Sequence, residues 1–120
     1  PVLSCNKSMD KESTGNILSY LTLVINGIQT MSPGVAGMVE SSLNLGILET
    51  NDTNVRFEHC VRSSQPEYKR YMGRKLEALS VLCNGTYLEK GSYPEWNYNE
   101  NSKLLAYSKE QYKKTFGKEQ

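Results

Sequence analysis

Leu43-Asn44-Leu45-Gly46-Ile47-Leu48-Glu49-Thr50 and Val55-Arg56-Phe57-Glu58-His59-Cys60-Val61-Arg62 flank the polar stretch Asn51-Asp52-Thr53-Asn54. In the first run Leu43, Leu45 and Ile47 share one face of an extended chain, leaving Ser42, Asn44 and Gly46 to the other. In the second, Val55, Phe57, His59 and Val61 alternate with Arg56, Glu58, Cys60 and Arg62. A period of two is the pattern of a half-buried strand, and two such runs around an Asn- and Asp-rich connection predict a β-hairpin with a loop of three to five residues. Leu43, Leu45, Ile47, Val55, Phe57 and Val61 are expected to face a covering layer. Ser42, Asn44, Gly46, Arg56, Glu58 and Arg62 are expected on the opposite face, which is polar enough to meet water or a partner.

Helical periods lie on both sides of the hairpin. Ile17, Leu21, Val24, Ile28 and Met31 recur at spacings of three and four, which predicts an amphipathic helix over residues 11–31, stopped by Ser32-Pro33-Gly34. Ser64 followed by Pro66 and Glu67 reads as a capping box opening a second helix, with Tyr68, Met72, Leu76, Leu79 and Cys83 inward and Asn84-Gly85 ending it. Short strands are expected at residues 2–8 and 86–90. The order strand, helix, strand, strand, helix, strand is that of an α+β, ferredoxin-like βαββαβ sandwich, an antiparallel sheet with helices on one face. Residues 91–101 read as a linker carrying Tyr93, Trp96 and Tyr98. Ser102 caps a further C-terminal helix with Leu105, Tyr112 and Phe116 in its stripe, giving units at 1–90, 91–101 and 102–120.

The 120 residues fill one domain of ordinary size. Fourteen Lys and Arg against thirteen Asp and Glu leave a charge of +1 with no basic stripe, which argues against nucleic acid as a partner. No apolar run approaches the length of a membrane span. Neither a phosphate-cradling glycine loop nor a nucleophile elbow is present. A single His leaves little for a self-contained metal centre or catalytic triad. Cys5, Cys60 and Cys83 form an odd set without a C-x-x-C pair, which suits buried thiols in a reducing compartment. Three Asn-x-Ser/Thr triplets, at Asn6, Asn51 and Asn84, matter only in a secreted chain.

Two residues stand out by chemistry. His59 shares a face with Phe57 and Val61, the setting of a half-buried structural histidine. It and Cys60 point to opposite sides of one strand, so the two cannot ligate one ion without a bulge. Arg62 ends a strand on the uncovered face, where a planar guanidinium either receives a carboxylate through paired hydrogen bonds or serves as a solvated partner of Glu58.

Ser32-Pro33-Gly34-Val35, Glu40-Ser41-Ser42-Leu43-Asn44-Leu45-Gly46 and Val61-Arg62-Ser63, taken in order, resemble the second half of the lid domain of the aminoacyl-histidine (Xaa-His) dipeptidases, and Gly91-Ser92-Tyr93-Pro94-Glu95-Trp96 is similar to that family's passage from lid to catalytic domain. The resemblance spans essentially the whole chain, and residues 40–46 are its most specific part. It implies a cytoplasmic metallopeptidase that holds two zinc ions bridged by a water, with a carboxylate as general base and a lid that closes on the dipeptide. It implies that Arg62 receives the substrate's terminal carboxylate, with Asn44 as a weaker candidate beside it. The family's metal-binding residues have no match in this sequence. The expectation is therefore a fragment with no catalytic residue and no metal site of its own, whose partners are the dipeptide, the rest of the parent chain and a second copy in a homodimer. The alternative is a free-standing ferredoxin-like interaction module without catalysis.

Overall fold

The structure is a computed structural model, and it describes residues 7–96, 98–99 and 101–118. Asp10 opens the first helix, its carboxylate accepting from the Ser13 amide at 2.9 Å, and α1 runs over Lys11–Leu23. Strands β1 (Gly27–Met31), β2 (Val39–Thr50) and β3 (Val55–Ser63) follow, then α2 (Pro66–Leu82) and α3 (Lys103–Phe116). The strands form an antiparallel sheet in the order β1-β2-β3. Leu43 of β2 is fully buried with Met72 and Leu76 of α2, and Val24, Ile25, Val61, Tyr68 and Tyr87 pack around them. Tyr20 of α1 lies 4.5 Å from the Phe57 ring on that same side of the sheet. The α+β class, helices on one face of an antiparallel sheet and a C-terminal helix are thus as the sequence predicts.

Several elements differ in detail. The first helix ends at Leu23 rather than near residue 31, and Ile28 and Met31 belong to β1. Gly27 takes φ +85°, a left-handed conformation that a side chain resists, so Asn26-Gly27 is a turn between helix and strand. The apolar spacing that carries the helix period past it is a coincidence, since Ile28 and Met31 are exposed strand residues. Among the described residues the sheet has three strands rather than four. Residues 86–90 are irregular, and of the expected strand at 2–8 all but Lys7 and Ser8 lies outside the described residues.

The hairpin itself forms with a loop at residues 51–54, where Asn51 Oδ1 accepts from the amides of Thr53 and Asn54, both at 2.9 Å. Its register shifts once, between Leu45 opposite His59 and Ile47 opposite Glu58, so Gly46 is the extra residue of a β-bulge. Ile47 therefore leaves the helix-covered face, where alternation had placed it, and is 43% exposed beside Glu58 on the open face. The expected capping box is absent as well: α2 starts from Gln65 with no side-chain cap, Pro66 sets the first turn, and Glu67 pairs with Arg70. At the other end Asn84 takes φ +54°, while Gly85 N–H donates to Ser80 O and Asn84 N–H to Val81 O, a Schellman closure.

α3 is capped as predicted, by Ser102 at its start and by left-handed Gly117 at its end. It makes no contact with any other helix or strand among the described residues, and Leu104, Tyr107 and Phe116 are exposed. The radius of gyration, 20.9 Å, exceeds the ~13–14 Å of a compact chain of this length for that reason. A helix of 14 residues without a tertiary partner is marginal in water. Amide exchange in α3 of this chain alone is expected to be much faster than in α1, and equal protection of the two in a monomer would overturn that expectation.

Candidate functional site

Alternation along β2 and β3 divides the polar residues cleanly. Ser41 and Leu43 are buried under the helices, so Glu40, Ser42 and Asn44 project from the opposite, open face. Ser42 lies directly opposite Arg62 and Asn44 opposite Cys60, while Ile28 of β1 lies opposite Ser42. One row across three strands is therefore Ile28, Ser42, Arg62, and the next holds Asn44 and Cys60. The structure brings the two candidate residues, Arg62 and Asn44, onto one face as diagonal neighbours.

The charges on this face are distributed unevenly. At the hairpin end, Arg56 pairs with both Glu49, at 2.8 Å, and Glu58, at 2.9 Å. Glu58 is thus committed to Arg56 and is not the partner of Arg62. Among the described residues Arg62 makes no ion pair; its guanidinium is held above its ordinary pKa chiefly by the neighbouring Cys60 side chain and then by Tyr93. Cys60 is exposed on this face and Cys83 is half-buried, both as free thiols, in place of the buried set expected; Cys5 lies outside the described residues.

Sequence reasoning gave no role to Glu40 or Ser42, although period two alone places both beside Asn44. Glu40 Oε2 accepts from Thr30 Oγ1 at 3.3 Å and Oε1 from Gln65 Nε2 at 3.1 Å. The carboxylate is fixed at the end of the sheet by neutral donors from β1 and from the start of α2.

His59 occupies the covered face. Its Nε2 is 3.0 Å from the Tyr20 hydroxyl, and Nδ1 is buried without a hydrogen-bond partner. Burial pushes the imidazole below its usual 6.5. The unfolded chain then takes up the proton more readily, so the stability His59 contributes is complete above pH ~6.5 and is lost as pH falls from there through the depressed folded value. Asp10, Glu67 and Glu95 are also held below their ordinary values, of 3.8, 4.5 and 4.5, and act only in a more acidic window. The melting midpoint is expected to fall between pH 7.5 and 5.5, and His59→Asn to flatten that slope; an identical slope in the variant would show that another group is responsible.

No group of three or more His, Cys, Asp or Glu converges among the described residues, and His59 and Cys60 face opposite sides of β3. The residues described do not fit a resident zinc ion. The passage from α2 to α3 is tied down at one point: Lys69 Nζ donates to Tyr93 O at 2.7 Å and pairs with Glu95 at 3.1 Å, with the Tyr93 ring 5.3 Å away. Trp96, in contrast, is 90% exposed. No described helix is long and apolar enough to cross a membrane.

Comparison with known proteins places the chain beside enzymes that act on dipeptides, and its homologues are dipeptidases by name. Over 107 residues, 89% of its length, it is 31% identical to the cytosol non-specific dipeptidase of Escherichia coli (strain K12), of which the match spans 22%. The fold matches a crystal structure of the aminoacylhistidine dipeptidase of Vibrio alginolyticus with a TM-score of 0.82, covering 98% of this chain and 24% of that one at 24% identity. The chain therefore spans less than a quarter of the length of these relatives, and its likeness to the second is one of fold. No family model matches the chain.

Proposed function

We propose that the chain is one half of the substrate-gripping lid of a cytoplasmic zinc dipeptidase acting on Xaa-His-type dipeptides, and that Arg62 receives the substrate's terminal carboxylate, with Asn44 at its side. In this reading residues 1–90 form the lid unit, 91–101 the connection, and 102–120 the helix leading toward the catalytic domain. The zinc pair, held by residues outside this chain, would supply an activated water. The residues of this chain bind the substrate and orient it.

The observation that carries the proposal is the contrast between the two arginines of the open face. Arg56 has two carboxylates, whereas Arg62 has none among the described residues and stands in a row with a hydroxyl and an apolar side chain. A planar guanidinium left in that state takes a carboxylate through two parallel hydrogen bonds. Placed a fixed distance beyond the scissile bond, it measures substrate length, because a longer peptide presents an amide there instead of a charge. The exposed apolar stripe of α3 is consistent with a surface covered by more of the same parent chain. The test compares a dipeptide with its C-terminal amide on the full-length enzyme, with and without Arg62. Selective loss on the free acid supports the reading, and equal loss on both substrates overturns it.

A further inference from the structure

Among the described residues, Glu40 and Arg62 project from one end of the open face as opposite charges that do not pair with each other or with any other charged residue. Ser42 separates them: it is directly opposite Arg62 and two residues along β2 from Glu40. Diagonal neighbours of this kind lie about 7–8 Å apart, close enough for one small molecule to bridge. At the hairpin end of the same face three charges, Glu49, Arg56 and Glu58, neutralise one another. At this end the sheet leaves an anion and a cation side by side. Glu40 is in addition preorganised, since Thr30 and Gln65 fix both of its oxygens through neutral donors that orient the carboxylate without discharging it.

We propose that Glu40 is a specificity-determining residue that selects a positively charged side chain on the residue whose carboxylate Arg62 receives; the inference rests on the reading of Arg62 as the carboxylate receptor. A C-terminal residue gripped by its carboxylate at Arg62 directs its side chain across Ser42. An ammonium there meets the fixed carboxylate of Glu40. A second carboxylate meets repulsion, which rejects acidic C-terminal residues as effectively as attraction recruits basic ones. Ile28, exposed beside Ser42, provides an apolar floor for the methylene stem of a long basic side chain.

The experiment uses the full-length enzyme and three dipeptides with one common first residue, ending in Lys, Ala or Glu. For the wild type, kcat/KM is expected to fall in the order Lys, Ala, Glu. Glu40→Gln preserves the side chain's shape and removes its charge, and is expected to shrink the Lys-to-Glu ratio roughly five- to thirtyfold, mainly through KM. Thr30→Val removes one tether of Glu40 without touching its charge, and is expected to keep most of the ratio. A ratio unchanged in Glu40→Gln overturns the proposal, as does an equal change in Thr30→Val, which would mean that Glu40 only staples β1 to β2. Failure of the Arg62 reading is visible separately, as equal loss of free-acid and amide turnover in Arg62→Ala.

Discussion

Replacing Arg62 by Ala in the full-length enzyme is expected to lower kcat/KM on a free dipeptide by roughly 30-fold to several-thousand-fold, the range for deleting one member of a charge-assisted pair that a closed site shields from water. Folding is expected to survive, because the side chain lies on the open face and contributes nothing to the Leu43, Met72 and Leu76 core. Arg62→Lys is expected to recover only part of the loss, since a point charge replaces a planar fork whose two donors match a carboxylate. The dipeptide amide separates binding from structure. It lacks the anion and is expected to be a poor substrate for the wild type, on which the variant loses little more. Steady-state kinetics on the acid and amide pair, with melting curves for each variant, decides the matter.

The largest effect on stability is expected from Leu43→Ala. Leu43 is fully buried, it is the point where β2 meets α2, and only Met72 and Leu76 share that degree of burial in the described apolar cluster. Truncating leucine to alanine at such a site costs about 2–5 kcal/mol, through lost burial and the cavity left behind. In a domain whose total stability is of the order of 5–15 kcal/mol, that is enough to lower the melting midpoint by roughly ten degrees or more. Leu48→Ala, further along the same strand but 52% exposed, is expected to change it little. Urea or thermal unfolding of the two variants side by side checks the assignment, and a smaller loss for Leu43 than for Leu48 would place the core elsewhere.

The hairpin is legible in the sequence because both strands keep one face in the core, so every second residue reports its side. α2 and α3 are legible for the analogous reason at a period near 3.6, helped at their ends by Asn84 and Ser102. The errors arise where two patterns share the same residues. Ile28 and Met31 extend the apolar spacing of α1, and only the Asn26-Gly27 dipeptide marks the break. Ser64 and Glu67 have the spacing of a capping box, yet Pro66 fixes the turn one residue later. Ile47 is misplaced because a bulge inverts the alternation beyond it, for which Gly46 is the only local sign. Arg62 and Asn44 were within reach of a period-two reading, and the resemblance added the role. Glu40 was not singled out, because its meaning depends on Thr30 and Gln65, which the chain brings in from two other elements.

The bulge at Gly46 divides the hairpin into two halves with different tolerances. On its near side five successive pairings, from Ser41 with Ser63 to Leu45 with His59, lock the row that holds Ser42 and Arg62. On its far side lie exposed Leu48 and a polar loop, and Phe57, opposite Leu48, meets Tyr20 of α1 rather than the Leu43, Met72 and Leu76 cluster. The extra residue takes up the change of phase between the two halves. The loop beyond Phe57 is therefore the place where this hairpin tolerates changes of length and composition, an evolutionary buffer that leaves the spacing of the face carrying Glu40 and Arg62 untouched.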